Sequence, residues 1–241
     1  FCIVDNEKEL SIILQNLKGI PYEVIGAGSN ILIRDSGYEG FLIKLGKKFN
    51  QIKLKKSNLT VGASILDINL SKFAQLNNLK NFEFYSGIPG TVGGAVKMNA
   101  GCFGSETKDI LIDVKTINNK GEINNINKKN LKLNYRQSYL PEGDIIISAN
   151  FRCNNGDKNK IAKKMNEIKM NREKTQPLKE KTSGSTFKNP KNNFAAKLIE
   201  MSNCKGLSEG GIFVSNKHAN FLINKQQGSA SQIEELGNKI I

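Results

Sequence analysis

The segment from Ser86 to Glu106, SGIPGTVGGAVKMNAGCFGSE, limits what this chain can fold into more than any other. Six of the 22 glycines lie between Gly87 and Gly104, and Lys97 is the only charge before Glu106. Backbone this rich in glycine turns through positive φ and approaches other groups closely, because no Cβ intervenes. Pro89 stiffens the entry, while Asn99, Ser105 and Thr107 supply side-chain hydrogen-bonding groups. Successive outward N–H groups in such a stretch make an anion-binding concavity. The bare residues leave two readings open, an ordinary glycine-rich loop and a cradle for cofactor phosphate. The length of the loop, its lack of charge and a second glycine segment upstream favour the cradle.

That second segment is Gly26-Ala27-Gly28-Ser29-Asn30. It begins like a dinucleotide fingerprint, but its sixth position is Ile31, and the pattern of Ile31-Leu32-Ile33 predicts a strand where the fingerprint needs a helix. A Rossmann fold is therefore excluded, and a strand–loop–strand phosphate site is expected. Elsewhere, Leu10, Ile13, Leu14 and Leu17 share a helix face, with Asp5 as its expected cap. Strands are expected at 22–25, 41–45, 51–56, 58–61, 110–117, 122–126 and 145–151, with helices after Ser64 and around 161–168. Ser231 to Glu234 reads as a capping box opening a last helix. Runs of strands with few helices indicate α+β rather than alternating βαβ. The polar stretch Cys153–Lys160 is the best domain boundary, dividing the chain into 1–154 and 155–241.

The net charge is +14, which raises the possibility of a nucleic-acid partner. Only four of the 36 cations are Arg (Arg34, Arg136, Arg152, Arg172), however, and the lysines are scattered. Bidentate phosphate and base recognition favours Arg, and aromatics make up only 7% with no Trp, which disfavours base stacking. A solvated basic surface suited to anionic small ligands is the better reading. Cys2, Cys102, Cys153 and Cys204 lie far apart with no paired spacing. They argue against a metal site or a disulfide framework and suit a reducing, cytoplasmic location. His218, the sole histidine, reads as structural. Tyr135-Arg136-Gln137-Ser138 reads as a surface turn whose Arg could sit over a carboxylate or oxyanion.

Five segments in order resemble the UDP-N-acetylenolpyruvoylglucosamine reductase (UDP-N-acetylmuramate dehydrogenase) family: GAGSNILIRD (26–35), GIPGTVGGAVKMNAG (87–101), YRQS (135–138), SGSTFKNP (183–190) and KHANFLIN (217–224). The resemblance spans nearly the whole chain. It implies a PCMH-type FAD-binding fold of two α+β subdomains over 1–154, followed by an α+β substrate-binding domain over 155–241. It implies non-covalent FAD, with Gly26, Gly28, Ser29, Asn30, Gly87, Gly90, Gly93, Gly94, Asn99 and Gly101 around it, and NADPH as hydride donor. It implies Arg136 as the residue that stabilises the enolic intermediate and Ser185 as the acid that protonates carbon. Tyr135, Lys188 and Asn189 then face the nucleotide sugar, and the enzyme is expected to be a monomer with no nucleic-acid or membrane partner. The family's further catalytic glutamate is expected beyond residue 241, and a threonine- and glycine-containing segment before Phe1, so the chain reads as part of a longer protein. A different flavin oxidoreductase of the same fold class, acting on a hydroxylated substrate, is the nearest alternative. A basic RNA-binding protein is the alternative of another class.

Overall fold

A computed structural model describes residues 1–241. Contacts divide the chain into two compact units, Phe1–Ala27 with Glu39–Lys169, and Gly28–Tyr38 with Met170–Ile241. This division differs from the sequence boundary at 154/155 in two ways. The later crossing falls inside a long helix at 169/170, and an eleven-residue excursion, 28–38, joins the second unit.

The first unit holds two main sheets and two short two-stranded ones. Strands β1 (Cys2–Val4), β2 (Tyr22–Val24) and β3 (Phe41–Leu45) pair in parallel with β3 central. Parallel pairing needs a crossover, and helix α1 (Glu7–Asn16) supplies it, burying Leu10 and Leu14. Its cap is Asn6 rather than Asp5: the Asn6 side chain accepts from Glu9 N, while the Asp5 carboxylate accepts from Lys47 N at 2.9 Å.

The second sheet is antiparallel. It contains β4 (Ile52–Lys55), β5 (Asn58–Gly62), β6 (Leu111–Ile117), β7 (Ile123–Asn127) and β8 (Ile145–Arg152) in the order β7-β6-β8-β5-β4. Central β8 alternates buried Ile147, Ala149 and Phe151 with less buried partners, as the period-2 pattern requires. Edge strand β7 reads INNIN and is mostly exposed. Helices α2 (Asp67–Leu76) and α3 (Val92–Lys97) follow β5 in the chain, and α2 begins after Leu66, with Ser64 bonded instead to Gly46 O. Phe82, Tyr85 and Phe151 form an aromatic core, with Phe151 edge-on to both others at 5.9 and 6.2 Å. Such geometry adds to simple area burial.

Helix α4 (Lys158–Thr175) leads into the second unit. There α5 (Ala195–Met201), the antiparallel strands β9 (Ser208–Glu209), β10 (Ile212–Val214) and β11 (Leu222–Asn224), and α6 (Ala230–Ile240) enclose a smaller core of Ile199, Ile212, Val214, Leu222 and Leu236. The capping box of α6 is Ser229 with Gln232, two residues before the Ser231 expected from sequence. The N–H groups that Ser231 and Ala230 offer at the helix start go to the Asp35 carboxylate instead, at 2.9 and 2.8 Å.

That contact explains the fate of Ile31-Leu32-Ile33, which forms no strand. A half-buried strand would hide alternate residues, whereas these three are about equally exposed at 45%, 46% and 43%. The segment is held at its far end by Asp35 and by the Arg34–Glu234 ion pair at 2.9 Å, without backbone pairing. No helix is long and apolar enough to cross a membrane.

Candidate active site

The long glycine segment is anchored to the protein before it can offer anything to a ligand. Val92 N and Gly93 N donate to Ile65 O and Ala63 O, each at 2.9 Å, and Asp67 N donates to Gly90 O at 3.1 Å. Several of its glycines exist for close packing. A Cβ at Gly101 would lie 2.5 Å from Ser105 O, one at Gly87 2.9 Å from Ile168 Cγ2, and one at Gly93 3.0 Å from Ala63 Cβ. Gly94 differs: it is exposed, and an added Cβ would meet only Thr91 Oγ1 at 3.6 Å.

The first glycine segment meets this one at Gly26, where a Cβ would stand 2.5 Å from Thr91 Oγ1. The Gly26 backbone therefore packs directly against the Thr91 side chain, whose hydroxyl also lies beside the uncovered Gly94. This uncharged cradle, with open space at Gly94, has room for the diphosphate of a dinucleotide cofactor. In the second unit, Gly28 adopts φ +73° with open space around it, followed by Ser29 and exposed Asn30.

Asn99 departs from its expected part as a cofactor contact. It is fully buried, and its amide is engaged by protein: Nδ2 donates to Asn134 O (2.9 Å) and Glu106 Oε2 (3.1 Å), and Oδ1 accepts from Lys108 N (3.0 Å). It ties the glycine segment to the turn that carries Arg136. Glu106, in turn, is held below the usual carboxylate range by its bonds with Lys108 and Asn99 and by the charges of Lys108 and Arg136, which outweigh its partial burial.

The Tyr135–Ser138 turn is closed by reciprocal bonds between Asn134 and Gln137, at 3.0 and 3.2 Å. Arg136 itself sits at φ +54°, a left-handed conformation that costs a side-chain-bearing residue about 1–2 kcal/mol. Its guanidinium donates to Gly101 O at 2.7 Å and lies over the exposed Tyr135 ring at 5.0 Å. Ser138 Oγ donates to Lys97 O at 2.7 Å. The turn is thus fastened to the glycine segment at three points, and the guanidinium's position is fixed by the same loop that forms the cradle.

In the second unit the Ser183–Pro190 loop is held by Asn220, which is buried. Asn220 O accepts from Thr186 N, its Oδ1 accepts from Phe187 N, and its Nδ2 donates to Phe187 O, all at 2.8 Å. Ser185 pairs with Phe221 as an isolated bridge and remains exposed. Gly184, at φ +89°, makes the turn before it. Lys188 is exposed, and Asn189 Oδ1 accepts from Ala195 N at 3.0 Å, at the start of α5. His218 is structural: Nδ1 accepts from Asn220 N at 3.3 Å, and the ring packs edge-on to Phe221 at 4.7 Å. Burial lowers its pKa, which favours the neutral ring that this acceptor role needs. Asn220 is the positioning residue that sequence reasoning passed over. The segment KHANFLIN stands out in the sequence, but nothing local distinguishes its buried amide from any other Asn.

Comparison with known proteins identifies relatives of this chain. A family model described as an FAD binding domain matches residues 1–127. Another, described as the C-terminal domain of UDP-N-acetylenolpyruvoylglucosamine reductase, matches residues 176–241. The UDP-N-acetylenolpyruvoylglucosamine reductase of Rickettsia conorii is 44% identical over 98% of this chain and 80% of its own length. That of Rickettsia typhi is 44% identical over 95% and 77%. The crystal structure of UDP-N-acetylenolpyruvylglucosamine reductase from Thermus caldophilus superposes with a TM-score of 0.90 at 34% identity, covering 99% of this chain and 86% of that one. With its glycine cradle, its anchored arginine turn and this agreement along nearly its whole length, the chain belongs to the UDP-N-acetylenolpyruvoylglucosamine reductase family of FAD-dependent oxidoreductases.

Proposed function

We propose that Arg136 and Ser185 carry the NADPH-dependent reduction of the enolpyruvyl ether of UDP-N-acetylenolpyruvoylglucosamine to UDP-N-acetylmuramate, a step in peptidoglycan precursor synthesis. The observation that carries this reading is the fixed Arg136, held in a left-handed turn and bonded to Gly101 O. Hydride addition to a double bond conjugated with a carboxylate leaves negative charge on the carboxylate oxygens. A guanidinium already fixed in place stabilises that charge more in the transition state than in the ground state. The new carbanionic centre then takes one proton, which Ser185 supplies, and its exposed hydroxyl is restored from solvent.

FAD, held without a covalent link, would supply the hydride chemistry between NADPH and the substrate. Gly26, Gly28, Ser29, Asn30, Gly90 and Gly94 hold it, while Gly87, Gly93, Gly101 and Asn99 shape and brace the loop. Cys102 carries no flavin link, its thiol donating to Phe84 O. Tyr135, Lys188 and Asn189 receive the nucleotide sugar. Residues 1–154 serve FAD binding and 155–241 substrate binding, with the 28–38 excursion as an addition to the latter. The enzyme works as a cytoplasmic monomer without nucleic-acid or membrane partners, supported by scattered Lys rather than clustered Arg.

Anaerobic mixing tests the reading. NADPH should bleach the flavin, and the enolpyruvyl nucleotide sugar should restore its colour with a product heavier by two hydrogens. Bleaching by a hydroxylated substrate, with no recolouring by the enolpyruvyl ether, would place the chain among oxidases instead.

A further inference from the structure

Asp67 is fully buried, and neither of its carboxylate oxygens has a hydrogen-bond partner. Native proteins leave few such groups, and an ionised carboxylate in this setting is strongly disfavoured. Its position is specific. Asp67 opens α2, its own N–H donates to Gly90 O at 3.1 Å, and the preceding Leu66 bridges to Thr91. Thr91 is the residue that closes on Gly26. The buried acid is therefore bonded through its own backbone to the Gly90–Thr91 stretch that packs on Gly26.

No cation compensates it. From the Glu83–Gly87 turn, buried Tyr85 senses the acid, and the Tyr85 hydroxyl donates to Thr107 Oγ1 at 3.1 Å. Glu83, buried on the same turn, adds no positive charge. Lys72 on α2, Lys80 beyond it and Lys97 on α3 are all exposed to solvent. With desolvation alone acting on it, the carboxyl titrates well above the usual range.

We propose that Asp67 is a proton-linked positioning residue of the FAD site: neutral, it lets the Gly90–Thr91 wall close around the cofactor diphosphate, and ionised, it opposes that closure. The inference rests on the flavoprotein reading above. A diphosphate brought to one side of a thin wall repels a carboxylate on the other, so binding favours the protonated acid. By linkage, FAD binding must then take up protons, and affinity must fall as pH rises through the titration of Asp67. The acid touches no cofactor atom and takes no part in the chemistry.

The test uses flavin-stripped protein and the Kd for FAD, read from quenching of flavin fluorescence between about pH 5.5 and 9. In the wild type, Kd should climb with pH by up to about tenfold per unit above the titration point. Asp67→Asn, isosteric and always neutral, should match the wild type at low pH and hold its affinity within about twofold at high pH. Equal pH slopes in both proteins, or weak binding by Asp67→Asn at low pH, overturns the proposal. Apoprotein melting separates a role confined to folding. If Asp67→Asn flattens the loss of apoprotein stability with rising pH but leaves the Kd slope unchanged, the cofactor link is wrong. Should the variant fail to fold, calorimetry of the wild type in buffers of different ionisation enthalpy decides, since binding without net proton uptake refutes the link. Protein that binds no FAD at any pH refutes the flavoprotein reading itself, whereas binding without proton uptake refutes this inference alone.

Discussion

Ser185 shows how little of a catalytic assignment resides in the residue itself. A serine hydroxyl is a weak acid in water, so its usefulness depends on placement. Here the placement comes from neighbours: the bridge to Phe221, the left-handed Gly184, and the Asn220 bonds to Thr186 and Phe187. Flavin bleaching by NADPH needs no carbon acid, so Ser185→Ala should leave that half-reaction nearly intact. Recolouring by the enolpyruvyl substrate should slow by about 10²–10⁴-fold, the scale of a lost positioned proton donor. Stopped-flow traces of both half-reactions check this, with Ser183→Ala as the milder control. Equal slowing of both steps, or greater sensitivity at Ser183, would remove Ser185 from the role. Arg136 makes the same point from the opposite direction: its left-handed backbone is tolerated because the bond to Gly101 O and the Asn134–Gln137 pairing over-determine the turn.

Between elements, the molecule relies on buried amides. Asn220 fastens the Ser183–Pro190 loop to the β10–β11 hairpin, and Asn99 fastens the glycine segment to the Arg136 turn. Asn220→Ala would strand the backbone N–H and C=O of Phe187 and should cost about 2–6 kcal/mol of stability, from two orphaned groups at about 1–3 kcal/mol each. Its kcat should fall with it, whereas flavin bleaching by NADPH should be spared. Urea unfolding and the two half-reactions measure both, and an unchanged unfolding midpoint would refute the bracket. These brackets mark the limit of what the sequence discloses. Strands such as Phe41–Leu45 and Ile145–Arg152 are legible within a residue because alternation is local, and helix α1 because its apolar spacing is local. The partners of Asn99 and Asn220 lie up to 35 residues away, and no spacing rule announces them. Ile31-Leu32-Ile33 misleads for the same reason: its residues favour a strand, but they pair with none, and the segment is held instead by Asp35 and Arg34. The glycine loops were legible as glycine loops, whereas which glycines face a ligand and which merely clear a neighbour depends on Thr91, Ala63 and Ser105.

At the scale of the whole chain, the second unit contains a piece of sequence that precedes most of the first. Asp35 holds Gly28–Tyr38 there by accepting from Ala230 and Ser231. Those two N–H groups lower the pKa of its carboxyl. A carboxyl depressed in the folded state stabilises above its unfolded pKa, about 3.9, and loses that contribution as pH falls through the folded value. Asp35→Asn should therefore unfold at lower urea than the wild type near neutrality, and the gap should close in acid as pH falls through the folded pKa. A gap that persists unchanged in acid would show that Asp35 acts through shape and not through charge. The same clasp also sets a waiting time during synthesis. Ala230 follows Asp35 by 195 residues, and at about 5–20 residues per second the ribosome needs roughly 10–40 s to cover that interval. Throughout it, the segment holding Ile31, Leu32 and Ile33 has no α6 to be fastened to, so the nascent chain carries an unclaimed apolar stretch. A chaperone that recognises short aliphatic runs has that interval in which to bind this stretch.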